Sequence, residues 1–212
     1  MAGKKIQISM TSFADFVVCD SLGQLAKVRQ IRRQYESEYF PSKHFWSRFI
    51  EGVESILNQG GSPRDLVEVY EKAKDNRPKP YASACEGFKK FWGRHELELA
   101  GTPKQATWDH ERLRVRLNPE WLLTIDGKPM VIKLHVKEKL PFNQRLANPL
   151  LYMLDQRFGP SVGGPAVGIL DVHRGKLWTP SRSNQDLDLV LHMQAAAFII
   201  GWDVLEQGQA AA

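Results

Sequence analysis

The clearest alternation of apolar and polar positions lies at residues 118–139, NPEWLLTIDGKPMVIKLHVKEK. Two apolar runs flank Asp126-Gly127, which tolerates the positive φ of a tight turn, so the pattern predicts an antiparallel hairpin. Side chains of the second run alternate between an apolar face, with Ile132, Leu134 and Val136, and a cationic face, with Lys133, His135 and Lys137. The apolar face must be buried, and the cationic face contacts either water or an anion.

Helical spacing of apolar residues dominates residues 1–104, which are predicted to form a helical N-terminal region. Ser12 is a candidate N-cap for the first helix, and Ser62-Pro63 marks the start of a later one. One predicted helix carries four cations on its polar side, at Lys27, Arg29, Arg32 and Arg33. This cluster is either a solvated face or a patch that contacts phosphate.

Strand patterns begin near residue 105, and residues 105–206 are predicted to form a sheet domain. Ala106 to Leu117 alternates apolar residues with Arg114 and Arg116, and this strand is expected to lie beside the hairpin. A helix from Asn143 to about Phe158, a strand pair and a last helix capped by Asn184 follow. Residues 207–212 are predicted to be a flexible tail. The predicted class is α+β, a helical region packed on a mixed sheet flanked by helices.

Composition fits a folded protein with a mild basic bias. The 212 residues are 42% hydrophobic and 25% charged, with a net charge of +5, which is compatible with a polyanionic partner. Cys19 and Cys85 lie in apolar-patterned segments and are expected to be buried thiols. Because the sequence shows neither a secretory signal pattern nor an apolar run of roughly 18 residues, we expect a cytoplasmic protein without a membrane segment.

The order of these elements, with Pro119-Glu120 opening the middle strand, resembles the restriction-endonuclease-like PD-(D/E)XK superfamily over about Ala106 to Asp203. In that family an acid after proline and an acid-x-lysine on the next strand gather around a divalent cation. The carboxylates bind Mg²⁺ and the lysine orients water or stabilises charge. The resemblance therefore implies a nuclease-like sheet and, in an active member, a Mg²⁺ cofactor.

The second half of the motif departs from the family pattern. Where the family carries an acid, an apolar residue and a lysine, this chain has Lys133, Leu134 and His135. A lysine at the metal position repels the cation that the acid would bind. If the protein is an enzyme, the resemblance assigns its catalytic roles to Glu120, Lys133 and His135.

Three functions remain open at this stage. The first is non-catalytic binding of nucleic acid, DNA in preference to RNA, without a metal. The second is a metal-dependent nuclease whose missing acid is supplied from elsewhere, with Glu36, Glu86 and Glu111 as candidates. The third is a protein-interaction or scaffold role, through a protein partner or a second copy, with the Phe45/Trp46 helix as the candidate apolar patch. The first is preferred, and its binding residues would be Lys133, His135, Lys137, Arg145, Arg114 and Arg116.

Overall fold

The structure is a computed structural model that describes residues 5–36, 45–72, 78–138, 142–181 and 186–210. Within these ranges it contains seven α-helices and two mixed β-sheets, so the predicted α+β class is confirmed. The helices are Met10–Val17 (α1), Ser21–Glu36 (α2), Ser47–Asn58 (α3), Leu66–Glu71 (α4), Pro78–Trp92 (α5), Gln144–Phe158 (α6) and Leu187–Ala210 (α7).

The strands form a three-stranded and a five-stranded sheet. They are Ile6–Ser9 (β1), Leu97–Gly101 (β2), Ala106–His110 (β3), Leu113–Leu117 (β4), Trp121–Ile125 (β5), Lys128–His135 (β6), Ala166–Asp171 (β7) and Lys176–Trp178 (β8). The smaller sheet has the order β1-β4-β3, and the larger has the order β2-β5-β6-β7-β8. Two pairs are parallel, β1 with β4 and β6 with β7. Strands β1 and β2 lie within the region that the sequence predicted to be helical.

The expectation that β4 lies beside the hairpin is wrong. β4 pairs with β1 and β3, whereas β5 pairs with β2 and β6, so consecutive strands belong to different sheets. Pro119 separates them, and it has no backbone N–H to continue a ladder. The hairpin ladder begins one residue later, where the backbone N–H of Glu120 donates to the carbonyl of Ile132 at 2.9 Å.

The hairpin itself is confirmed. Trp121 to Ile125 pair antiparallel with Lys128 to Ile132. Asp126 and Gly127 occupy the turn with φ of 50° and 76°, the left-handed values that a two-residue primed turn requires.

Two hydrophobic clusters make up the interior, and β6 and β7 contribute to both. The first collects residues of α1, α2, α6 and α7 with the smaller sheet, and it includes Val131 and Ile169. The second collects residues of α3, α4 and α5 with β5, and it includes Ile132 and Leu170. Because neighbouring residues of a strand point to opposite sides, the larger sheet is covered on both faces. Both clusters contain residues from before and after position 105.

Several predicted helix boundaries agree with the structure. Asn143 caps α6 by accepting the Leu146 N–H, and Ser62 with Asp65 forms a capping box ahead of α4. The first helix begins earlier than predicted, because Ser9 rather than Ser12 is its N-cap. The predicted cap Asn184 lies outside the described residues. α7 continues to Ala210, into the segment predicted to be a tail.

Of the helices in the described ranges, α7 has the length and apolar composition that a membrane-spanning helix would need, over Leu187–Gly208. This length was not expected from the sequence, which predicted a shorter last helix followed by a tail. Core helices of soluble proteins meet the same criterion, and α7 does bury one side, since Leu191, Ala195 and Phe198 belong to the first cluster.

Candidate nucleic-acid interface

The acid predicted for a metal, Glu120, binds groups of the protein itself. It forms an ion pair with Lys133, and the two side chains are only 16% and 14% exposed. Its second carboxylate oxygen accepts the backbone N–H of Leu134 at 2.6 Å, and Lys133 also donates to the carbonyl of Asn118 at 3.0 Å. The cation of Lys133 therefore pairs with the carboxylate of Glu120, the residue just before β5, and its part in nucleic-acid binding stays a prediction.

His135 adds hydrogen bonding rather than charge to this face. Its ring stacks on Phe142 with centroids 4.3 Å apart, and its Nε2 donates to the carbonyl of Lys137 at 3.1 Å. Burial lowers the pKa of His135, although the nearby carboxylate of Asp171 acts in the opposite direction. We therefore expect a neutral ring at pH 7.

The remaining predicted cations near β6 differ in their surroundings. Lys137 forms an ion pair with Asp15, which brings the end of α1 across the end of β6. Arg145 is exposed in the first turn of α6. The sequence analysis did not identify Asp15, because 122 residues separate it from Lys137 and no local pattern links them.

Arg114 and Arg116 lie on β4, in the smaller sheet, so the expectation that they extend the β6 surface is wrong. Arg114 pairs with Asp109 on the adjacent strand at 2.6 Å. Arg116 forms a hydrogen bond with Tyr35 of α2. The six residues predicted to bind nucleic acid therefore do not make one continuous surface.

The acids proposed to migrate into a metal site lie elsewhere. Glu86 is exposed on α5, and Glu111 is exposed in the turn between β3 and β4, with a φ of 49°. The side chain of Glu36 falls outside the described residues.

The acid on the strand next to β6 is Asp171, which is fully buried and pairs with Arg174 at 2.8 Å. Its other oxygen accepts the backbone N–H of Arg174, which stabilises the turn between β7 and β8. Among the described residues, no three His, Cys, Asp or Glu side chains come together as a metal site.

A cavity of about 570 Å³ opens beside the end of β6. Its walls are mainly apolar, and its charged lining residues are two lysines and two acids, Lys27, Lys137, Asp15 and Glu138. Phe45 and Trp46, predicted to form an exposed patch, are partly buried here, and Trp46 stacks on Tyr81 at 5.3 Å. His173, which also lines the cavity, donates from Nε2 to Val136 and accepts from Ser83 at Nδ1.

Four cationic side chains lie on α2, at Lys27, Arg29, Arg32 and Arg33. A groove of about 390 Å³ runs between α2 and the end of α7. Its lining consists of Leu25, Arg29, Arg32, Arg33, Val204, Leu205 and Gly208. Three of these described lining residues are arginines, and none of the described ones is an acid. Arg32 lies over the ring of Trp202, 5.7 Å from its centroid, while Arg29 and Arg33 are exposed. The cluster is visible in the sequence, but no local pattern favoured it as a phosphate-binding surface over the β6 face, the side of the hairpin that carries Lys133, His135 and Lys137.

No protein-family model matches the chain, and no curated protein matches it. The resemblance to the PD-(D/E)XK superfamily therefore stays a prediction from element order and the Pro119-Glu120 motif.

Proposed function

We propose that the protein binds the sugar–phosphate backbone of nucleic acid without cleaving it, through the arginine groove between α2 and α7. The observation that carries the proposal is the presence of three guanidinium groups, with no carboxylate among the described residues that line the same groove. The sequence predicts the same function on other residues, those around β6.

The chemistry of arginine favours phosphate as the ligand. A guanidinium presents a planar set of donors that matches two phosphate oxygens at once and keeps its charge at every physiological pH. Arg29 and Arg33 are four residues apart, so they lie on the same side of α2 and present their donors in the same direction. The apolar lining residues Leu25 and Leu205 give the sugar rings a surface to pack on.

The β6 face supports binding less well than the groove. Lys133 and Lys137 are paired with Glu120 and Asp15, so contact with a phosphate would require separating two ion pairs. Since Glu120 is engaged by Lys133 and by Leu134 N–H, a metal-dependent nuclease would first have to free its acid. Non-catalytic binding requires no such rearrangement.

A salt titration tests the proposal. Fluorescently labelled duplex DNA and single-stranded RNA are titrated with protein at several salt concentrations. If phosphate contacts carry the binding, the logarithm of the binding constant falls linearly with the logarithm of the salt concentration. The slope is about −0.9 for each phosphate contact on duplex DNA. The double variant Arg29→Gln/Arg33→Gln should reduce the slope by roughly 2 and weaken binding to all sequences alike.

The matched control removes the same charge elsewhere. Lys89 and Lys90 are exposed on α5, and Lys89→Gln/Lys90→Gln should leave the slope nearly unchanged. Lys137→Gln, on the β6 face, should also bind as the wild type does. An equal loss in the α5 variant, or no binding to either nucleic acid at low salt, would rule out the arginine groove.

A further inference from the structure

One side of α7 carries large apolar side chains that the described part of the chain leaves exposed. Leu189, Met193, Ile200 and Val204 are 61%, 62%, 63% and 52% exposed. Their spacings of four, seven and four residues place all four on one side of a helix. Ala196 fills the gap between Met193 and Ile200. We call these five residues the α7 stripe.

Contacts on both flanks of α7 fix the outward direction of the stripe. On one flank, Gln194 accepts a hydrogen bond from Gln24 of α2 at 3.0 Å. On the other flank, the Nδ1 atom of His192 forms a hydrogen bond of 2.6 Å with the Nδ1 atom of His110 on β3. Since Phe198 and Leu191 point into the core between these flanks, the helix cannot rotate to bury the stripe without breaking all three sets of contacts.

The size of the stripe fits a protein interface. Four such side chains, each exposed by half or more, present roughly 400–500 Å² of apolar surface, the size of the largest apolar patch on a typical monomer, which is often a functional site. The neighbouring Val190 and Leu25, 40% and 39% exposed, enlarge it. Two such surfaces placed face to face bury about 1,000 Å², the area at which specific association begins.

The charges of α7 disfavour a membrane surface as the occupant. Helices that lie on anionic membranes carry Lys and Arg beside their apolar face. Over its full length α7 contains Asp188, Asp203 and Glu206 and has neither Lys nor Arg in its sequence. The helix itself therefore offers an anionic bilayer no Lys or Arg, and the arginines of α2 lie beside its C-terminal end.

We propose that the α7 stripe binds a second copy of this chain, forming a two-fold symmetric dimer. A two-fold axis presents the same stripe from each copy, so apolar side chains meet apolar side chains along the whole contact. Ala196 at the middle of the stripe allows the two helices to approach closely. The dimer proposal rests on the apolar side chains of α7 and not on the arginines, but it shares Val204 and Leu25 with the arginine groove. Met193 and Ile200 do not line that groove, so variants at these two positions test the dimer separately from nucleic-acid binding.

The test measures molar mass by light scattering after size exclusion, from about 1 µM to about 500 µM protein. Wild-type mass should rise with concentration from 24.2 kDa towards twice that value. Ile200→Glu and Met193→Glu should each weaken dimerisation at least tenfold, because a carboxylate would be desolvated at the contact. Both positions are exposed in the monomer, and circular dichroism checks that the variants remain folded.

Val67 provides the matched control. It lies on α4, is 59% exposed, and Val67→Glu should dimerise as the wild type does. A constant mass near 24.2 kDa at every concentration, or equal loss in Val67→Glu, overturns the proposal. Flotation with phosphatidylcholine and phosphatidylserine vesicles tests whether the α7 stripe binds a membrane surface instead. Wild-type protein that floats with vesicles while Ile200→Glu does not would assign the stripe to a membrane and also overturn the dimer.

Discussion

At the residue level, the partner of a charged side chain decides what that side chain does. Lys133 alone is a cation on a strand, but beside Glu120 it is half of an ion pair with little exposure to solvent. Removing one member of a buried pair leaves the other charge desolvated without compensation. The stability of this pair therefore gives a direct prediction.

We expect Glu120→Ala to lower the free energy of unfolding by about 3 kcal/mol, because it leaves the Lys133 charge buried without its partner. Urea denaturation measures the change. Glu120→Ala/Lys133→Met should recover part of the loss. Asp109→Ala, which breaks the more exposed pair with Arg114, should cost no more than about 1 kcal/mol. Equal losses in the two single variants would show that Glu120 and Lys133 are not a buried pair.

Two histidines, His110 and His135, should make the free energy of unfolding depend on pH. Burial lowers the pKa of His110 and of His135, and His192 beside His110 adds to the first effect. Because the folded state then binds these protons less readily than the unfolded chain, the free energy of unfolding should fall as the pH drops below about 6.5. Urea midpoints at about pH 7.5 and about pH 5.5 measure this loss.

The control for the pH experiment is His110→Phe/His135→Phe, which removes both groups. Its midpoint should change less between the two pH values than that of the wild type. A variant with the same pH dependence as the wild type would assign the effect to carboxylates instead.

At the level of elements, the hairpin turn and the end of α7 respond to the same substitution in opposite directions. Gly127 has a φ of 76°, where a Cβ strains the backbone, so Gly127→Ala should destabilise the protein by about 1 kcal/mol. Gly208 is helical with nothing near its Cβ position, so Gly208→Ala should stabilise by about 0.5 kcal/mol. Thermal unfolding compares the two, and the same sign in both would contradict the turn assignment.

At the level of the whole molecule, the five-stranded sheet joins both hydrophobic clusters, so we expect one cooperative unfolding transition. Phe49 and Phe198 are fully buried, one in each cluster. Phe49→Ala and Phe198→Ala should each lower the free energy of unfolding by about 3–5 kcal/mol and shift the whole transition. Circular dichroism and tryptophan fluorescence should report the same single transition. Two separated transitions in Phe49→Ala would instead support independent units on either side of residue 105.

The sequence alone determined the parts of the fold that depend on neighbours along the chain. The Asp126-Gly127 hairpin, the capping box at Ser62 and the start of α6 all follow from local backbone and side-chain chemistry. The cationic cluster on α2 was also visible. These features need only a few consecutive residues, so a pattern can reveal them.

Only the tertiary structure decided which elements meet. No local pattern predicted that β4 would pair with β1 and not with the hairpin. Because of this pairing, Arg114 and Arg116 lie in the smaller sheet, away from β6. The pairing of Lys137 with Asp15 and the arginine groove between α2 and α7 likewise join residues far apart in sequence. Long-range pairing depends on the packing of the whole chain, and that packing paired Lys133 and Lys137 with acids and brought the arginines of α2 beside α7.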